Sequence, residues 1–335
     1  MSSKGDNKDR QSDKALFVLR EIEEETAQAP SSDKEAVPTT QKAHRIYPTD
    51  KGLDMAEEIA AGLNMEMNRK KTAQWATELL AHYYHDVAKV LGDDLCEGLT
   101  FEHLASRKLI AFSAHTHTGR ALVSFDQQLD LWLFSLNVLI GIRAFWCLPK
   151  DQYAQTATLT QGVLATLEDP YLHEKIRPYL EPYITGYVKV LPVANCLVMA
   201  MSAFIICHEI AHHTLGHVGM KNDPQHEYDA DKIAYAYLEK VCNAFDQLTY
   251  LKVSENMMAA PCLLMKYFDL TEQWSAKQQQ RDAPFSSESH PPSFKRYQAL
   301  EAAFSSRWSQ EAVNLYEGFS GSLHELLVQL ELNAR

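Results

Sequence analysis

Five residues in the second half of the chain, His208-Glu209-Ile210-Ala211-His212, have the types and the spacing of a metal-binding catalytic motif. On an α-helix, residues four apart lie on the same face, so His208 and His212 can direct two imidazoles at one metal ion. Such a pair is the usual contribution of one helix to a tetrahedral zinc site. Glu209 can reach a water on that metal, take its proton and deliver it to a leaving amine. The motif therefore predicts one Zn²⁺ ion and hydrolysis with Glu209 as the general base.

The context of the motif matters, because a chain with 14 histidines could contain it by chance. The segment before it, from Val190 to Cys207, is nearly all apolar, and Gly216 supplies a natural C-terminal stop for a helix. A bilayer span requires roughly twenty uninterrupted apolar residues, and this run is interrupted by Pro192 and Asn195. We therefore expect a buried core helix that carries the motif and no integral membrane span, with a membrane-anchored protease as an alternative.

The third ligand determines the class of zinc site. In the metzincin pattern, a glycine stands three residues after the second histidine and another histidine follows three residues later. Leu215 and Val218 occupy those two positions, and Gly216 and His217 each miss the register by one residue. The metzincin arrangement is therefore excluded.

A second acidic segment, Glu227-Tyr228-Asp229-Ala230-Asp231, begins fifteen residues after His212. It resembles the ExxxD or ExxAD segment that gluzincins carry on a second helix. The resemblance implies that Glu227 is the third zinc ligand and that Asp231, one turn later, hydrogen-bonds a ligating histidine. Helical periodicity agrees, because Glu227 and Asp231 share one helix face. Two solvated carboxylates on a surface helix are the alternative.

A third segment, from Ser289 to Leu300, contains His290-Pro291 followed by Arg296. It resembles the HPxxxxR segment of the CAAX prenyl protease family and its soluble relatives, in which the segment returns to the active site near the substrate carbonyl. The resemblance implies that His290 or Arg296 stabilises the oxyanion that forms when water attacks the peptide. The alternative is a helix that starts at two prolines and carries a solvated Arg296.

These resemblances cover about a third of the chain, from Val193 to Leu300. The CAAX prenyl protease family separates HExxH from its glutamate by a long insertion and has several membrane spans, and this chain has neither pattern. The compact spacing is more similar to the ImmA/IrrE-type regulatory peptidases and the Lit-type phage-exclusion peptidases. The ImmA/IrrE-type group typically has Asn where Asp231 stands, which favours the Lit-type group. The resemblance thus implies a soluble peptidase with an intracellular protein substrate, in regulation or phage defence.

Composition limits the remaining functions. The chain has 335 residues, of which 46% are hydrophobic and 23% charged, as in ordinary globular proteins. Its net charge of −12 repels phosphate backbones, and the short basic run Arg69-Lys70-Lys71 does not make a nucleic-acid site. Six cysteines without a CxxC pair, together with a polar N-terminus, predict reduced thiols and a cytoplasmic location. These features do not determine the oligomeric state.

The pattern of the chain predicts three regions. Residues 1–45 are expected to be a mobile polar tail with one short helix at Ala15–Glu24. Residues 46–150 are expected to be an N-terminal helical region with a small sheet, with a helical apolar period from Leu53 to Leu91. Residues 151–335 are expected to be a helical metallopeptidase core.

The small sheet is predicted from short β-prone runs. Leu109–Phe112 and Ala121–Phe125 are two such runs, and the alternation of Leu129, Leu131 and Leu133 predicts a further half-buried strand. The expected fold is therefore α+β and predominantly helical, with a zincin-like metallopeptidase core, a small antiparallel sheet and a two-helix zinc site.

Other histidines are not expected to bind a metal. His213 and His217 lie around the helix from the ligand face, which argues against a second metal site. The pair in His115-Thr116-His117 has no carboxylate or cysteine nearby in the sequence, which favours a loop.

Two classes of function remain open. The first is a zinc endopeptidase whose protein or peptide substrate adds a strand to the edge of the sheet between Ala111 and Phe125. The second is a non-catalytic interaction protein stabilised by zinc. Structural zinc sites usually close all four positions with Cys or His. The predicted set of three ligands and an acid leaves one position open, which favours the enzyme.

Overall fold

The computed structural model of the chain describes residues 87–96, 98–104, 111–115, 121–145, 148, 150–166, 172–187, 190–221, 223–248, 257–280 and 290–332. The polar tail predicted for residues 1–45, with its short helix, lies outside the described residues. Most of the segment predicted to be helical from Leu53 to Leu91 also lies outside them. Its last residues, 87–91, are helical.

The sheet follows a short helix, α1 (Asp93–Cys96), and has three strands: β1 (Leu99–Leu104), β2 (Ala111–His115) and β3 (Ala121–Asp126). Their order is β1-β3-β2. Strands β2 and β3 are antiparallel, as the sequence predicts, whereas β1 runs parallel to β3. The sheet is therefore mixed. The sequence did not predict this, because alternation along a strand identifies the two faces of the strand but not the direction of its partner.

Helix α2 (Gln127–Phe145) follows directly after β3, so the strand predicted from Leu129, Leu131 and Leu133 is wrong. Three alternating leucines are too few to distinguish a strand from a helix. In the first half of the helix, the buried apolar positions Leu129, Trp132, Leu133 and Leu136 recur every three or four residues, which is the helical period. From Ser135 to Arg143 the helix is buried on all sides.

The remainder of the described chain is helical. The helices are α3 (Lys150–Ala165), α4 (Leu172–Gly186), α5 (Leu191–Thr214), α6 (Pro224–Leu248), α7 (Ala260–Gln278), α8 (Ser293–Phe304) and α9 (Gln310–Gln329). A 3₁₀ turn, Ser305–Arg307, follows α8. The observed architecture is α+β and mostly helical.

Helix α5 lies at the centre of the hydrophobic core. It packs against α2 and α6 and against strands β2 and β3. Phe204, Ile206 and Ile210 are completely buried in it. In the described part of the chain it is also the one helix long and apolar enough to cross a membrane. However, 67% of its most apolar stretch is buried inside the protein, as expected for a core helix.

The described cysteines form no disulfide with one another. They are Cys96, Cys196, Cys207, Cys242 and Cys262, and Cys147 lies outside the described residues. Burial raises the pKa of the Cys207 thiol well above its usual value. A thiol of this kind behaves as a small apolar side chain of the core rather than as a nucleophile.

Candidate metal centre

The C-terminal end of α5 is fixed by a glycine. Helix α5 ends at Thr214, and Gly216 adopts the left-handed conformation with φ +69°. The Gly216 N–H donates to the His213 carbonyl at 3.0 Å, and the His217 N–H donates to the His212 carbonyl at 2.8 Å. These two bonds form a Schellman motif. The chain therefore turns away immediately after the two histidines, as the glycine predicts.

The N-terminal end of α6 is fixed by an aspartate and a proline. The Asp223 carboxylate accepts from the Gln225 N–H at 2.9 Å, and Pro224 is the first helical residue. Both are favoured at a helix start, the first as a cap and the second for its fixed φ. Glu227 consequently lies in the first turn of α6. Since α6 packs along α5, this turn is close to the histidine pair.

The two helices bring His208, His212 and Glu227 together. The Nε2 atoms of the two histidines lie 3.0 Å apart. Glu227 Oε2 lies 3.3 Å from His208 Nε2, and Glu227 Oε1 lies 3.5 Å from His212 Nε2. One ligand atom from each of the three residues lies within 4.8 Å of the others. Two imidazole nitrogens and one carboxylate thus converge on a single point.

Asp231 and Arg296 form a buried ion pair behind this cluster. Arg296, in the first turn of α8, donates from Nε to Asp231 Oδ2 at 2.8 Å and from Nη2 to Oδ1 at 2.6 Å. Asp231 Oδ1 also lies 3.0 Å from His208 Nδ1. The third guanidinium nitrogen, Nη1, lies 3.2 Å from Glu227 Oε2. Arg296 therefore bridges two carboxylates: that of Asp231, which lies beside His208, and that of Glu227, which belongs to the cluster itself.

His290 lies at the exposed side of the cluster. Its Nε2 is 3.4 Å from Glu227 Oε1, and 63% of its side chain is exposed. Both residues singled out in the HPxxxxR segment thus contact Glu227, although Arg296 is buried and His290 is not. The segment brings one donor into the protein interior and leaves the other beside solvent.

Glu209 contacts a residue that the sequence did not indicate. The Ser113 hydroxyl, on strand β2, hydrogen-bonds the Glu209 carboxylate. Burial raises the pKa of Glu209, while the His208 charge and the Ser113 hydrogen bond act to lower it. Ser113 carried no local signal, since its role depends on how β2 packs against α5.

Two further histidines, His217 and His226, lie at the edge of the cluster. His217 Nδ1 is 3.2 Å from His212 Nδ1, and its ring stacks on His226 with centroids 4.0 Å apart. By contrast, His213 Nε2 lies 3.1 Å from the Leu122 carbonyl of β3. Among the described residues, neither His213 nor His217 belongs to a second metal-binding group.

The carboxylates shift the pKa values of the cluster strongly. Burial alone would lower the pKa of His208, but Asp231 and Glu227 raise it to about 9. Burial and the His208 charge lower the pKa of His212 to about 3. Burial would raise the pKa of Glu227, but His208 and Arg296 lower it to about 2. The carboxylates of the site thus favour the protonated form of His208, whereas His212 stays neutral.

The donor set and its charge fit a zinc ion. Two imidazoles and a carboxylate are the ligands of many catalytic zinc sites, which keep a fourth position open. Three carboxylates, from Glu209, Glu227 and Asp231, face the single guanidinium of Arg296. When all three are ionised, two negative charges remain, which a divalent cation balances. In the metal-free site, protonated His208 offsets only one of these charges, and the remaining buried charge is costly without such a cation.

A family model described as Peptidase U49 matches residues 180–314. The matched segment is less than half of the chain, yet it contains the histidine pair, Glu227, His290 and Arg296. No curated protein and no solved structure matches the chain. The family match supports a peptidase, and therefore a hydrolase with a protein substrate.

Proposed function

We propose that the chain is a zinc-dependent endopeptidase in which His208, His212 and Glu227 hold one Zn²⁺ ion. The observation that carries the proposal is the convergence of these three ligand atoms within 4.8 Å. The excess of buried carboxylates at the same point supports a divalent cation, and the peptidase family match covers this segment. The two-helix site next to a small sheet also supports a zincin-like core of the gluzincin type.

The reaction requires a water to be activated and a proton to be moved. A bound zinc ion would supply Lewis acidity, which lowers the pKa of a water ligand towards about 7. Glu209, beside His208 and held by Ser113, takes the proton of the attacking water and delivers it to the leaving amine. Asp231 fixes the orientation of His208 from its Nδ1 side.

The two donors of the HPxxxxR segment have different roles in this proposal. His290, exposed and next to Glu227, donates to the oxyanion that forms on the substrate carbonyl. Arg296 has its Nε and Nη2 directed at Asp231 and its Nη1 near Glu227, so it holds both carboxylates in place.

The substrate segment is an extended peptide that adds a strand to β2. In the described sheet, β2 lies at one edge, with β3 as its neighbour. Because Ser113 of β2 also hydrogen-bonds Glu209, this edge passes beside the catalytic carboxylate. Main-chain hydrogen bonds along such an edge hold a peptide extended, as peptide cleavage requires. The similarity to Lit-type peptidases supports a cytoplasmic protein as the substrate, cut in regulation or phage defence.

Zinc content tests the metal site directly. We expect one zinc ion per chain in the wild-type protein, and none retained after dialysis in His208→Ala or His212→Ala, because each loses one of three ligands. Elemental analysis of the purified proteins measures this. His213→Ala is the matched control, since His213 is the neighbouring residue and contacts the Leu122 carbonyl instead. A wild-type protein that holds no zinc after exposure to it contradicts the proposal.

Zinc binding is expected to release one proton from the ligands at pH 7. Metal-free His208, with its pKa raised to about 9, must lose a proton to bind zinc. His212 and Glu227, with pKa values lowered to about 3 and about 2, are already deprotonated. The His208 contribution to zinc affinity should therefore rise about tenfold per pH unit up to about pH 9 and then level off.

Calorimetry in buffers of different ionisation enthalpy counts the protons released. Asp231→Asn is the informative comparison, because it removes one of the two carboxylates that raise the His208 pKa and leaves the three proposed ligands in place. In that variant the pH at which affinity levels off should move down. An affinity that is the same at pH 7 and pH 8 in the wild type would show that His208 is neutral before zinc arrives.

A further inference from the structure

The two histidines of the metal centre have different partners on their outer sides. His208 turns its Nδ1 to the carboxylate of Asp231, 3.0 Å away. His212 turns its Nδ1 to another histidine, with 3.2 Å between His212 Nδ1 and His217 Nδ1. Both rings therefore direct Nε2 inwards and Nδ1 outwards. A ring that binds metal through Nε2 carries its proton on Nδ1, so each needs an acceptor there.

The backbone places His217 over His212. In the Schellman motif at the end of α5, the N–H of His217 donates to the carbonyl of His212 at 2.8 Å. The residue at this position folds back onto the last turn of the helix, where it usually makes an apolar contact. Here the contact is between two imidazoles whose ring centroids are 5.4 Å apart. The left-handed Gly216 between them makes this return possible.

A residue of α6 holds the other side of the His217 ring. The His226 ring stacks on it with centroids 4.0 Å apart and 12° between the planes. His226 is the residue before Glu227, in the first turn of α6. The His217 ring is therefore held between His212 of α5 and His226 of α6.

We propose that His217 is a positioning residue of the metal centre, which accepts a hydrogen bond from His212 Nδ1–H and so fixes the His212 ring. The assignment rests on the proposed zinc site. It requires neutral His217 to carry its own proton on Nε2, because Nδ1 is the acceptor. His226 keeps the His217 ring in plane by stacking and needs no polar atom to do so.

Two substitutions of similar shape separate the hydrogen bond from the packing. His217→Leu removes the acceptor, and His217→Asn keeps an acceptor oxygen on a side chain of nearly the same size. Competition with a chromophoric chelator measures the zinc dissociation constant of each full-length protein. We expect zinc binding about 10–100-fold weaker in His217→Leu, with a substantial part of the affinity recovered in His217→Asn.

His226→Phe and His226→Ala test the stacking contact. We expect His226→Phe, which keeps an aromatic ring, to bind zinc as the wild type does, and His226→Ala to bind it more weakly. Circular dichroism of the metal-free variants separates a loss of ligand orientation from a loss of folding. We expect the variants to stay folded, because the hydrogen bond that ends α5 at the His212 carbonyl comes from the His217 backbone and not from its side chain. In ¹⁵N spectra of the zinc-loaded wild type, we expect His217 to be protonated at Nε2.

The outcomes distinguish this inference from the proposed function. If folded His217→Leu binds zinc as tightly as the wild type, or as tightly as His217→Asn, the positioning role is overturned and the zinc site stands. A His217 protonated at Nδ1 in the loaded protein overturns it as well. If the wild type itself binds no zinc, the proposed function fails together with it.

Discussion

Glu209→Gln is expected to abolish peptide-bond cleavage while the protein keeps its zinc ion. Glutamine has nearly the shape of glutamate and accepts the Ser113 hydrogen bond, but it cannot take a proton from the attacking water. Removing a general base typically costs about 10²–10⁴-fold in rate. Glu209 is not one of the three converging ligands, so the metal content should stay at one ion per chain. The combination of lost activity and retained zinc is specific to a catalytic role.

The substrate can be found with the same variant. Mass spectrometry of proteins from cells that contain the wild type or Glu209→Gln should reveal new peptide termini in the wild-type sample alone. His208→Ala serves as the second control, because it should lose both the zinc ion and the cleavage. Equal biological activity of Glu209→Gln and the wild type would instead indicate a non-catalytic, zinc-stabilised interaction protein.

Arg296→Met is expected to destabilise the metal-free protein by about 3–5 kcal/mol. Asp231 is only 2% exposed, and Arg296 donates two hydrogen bonds to it. Without the guanidinium, Asp231 and Glu227 remain as buried carboxylates with His208 as their shared cation. Urea unfolding at neutral pH measures the loss. Zinc affinity should fall too, because Asp231 no longer holds His208 in a fixed orientation.

The control for this loss is an exposed pair of the same kind. Arg307 donates to Glu239 at 2.6–2.7 Å with both side chains about half exposed. Arg307→Met should therefore cost only about 0–1 kcal/mol. If Arg296→Met costs no more than Arg307→Met, Arg296 is not the residue that stabilises the buried carboxylates.

The stabilisation by Arg296 should also depend on pH. Burial alone would raise the pKa of Asp231, but Arg296 and His208 hold it well below its usual range. A carboxylate with a lowered folded pKa contributes stability that is fully present above its unfolded pKa of about 3.9. That contribution is lost as the pH falls through the folded pKa. The difference between the wild type and Arg296→Met should therefore be full at pH 7 and shrink in strong acid.

Much of the site follows from local spacing. Residues four apart on a helix share a face in any fold, so the pairs His208/His212 and Glu227/Asp231 could be recognised before their helices were seen. The end of α5 was also predictable, because Gly216 favours the left-handed conformation that stops a helix. The mostly helical α+β class followed from the same apolar periods.

What depended on tertiary contacts could not be predicted in the same way. Ser113 reaches Glu209 because β2 packs against α5, and no pattern around Ser113 indicates that contact. The parallel pairing of β1 with β3 is similarly non-local. His217 is an intermediate case. Once Gly216 is read as the helix stop, the next residue must fold back over His212, so its contact was available from the sequence and was missed.

The position of α5 in the hydrophobic core has a consequence for how the metal is acquired. The residues that precede His208 on this helix are buried against α2 and α6, so folding itself sets the direction of the two imidazoles. The entropy of ordering the ligands is then lost during folding rather than during metal uptake. In small zinc fingers, by contrast, metal binding and folding are one event. This chain should behave as a preorganised receptor that exchanges its ion reversibly, and chelation should leave its helical content unchanged.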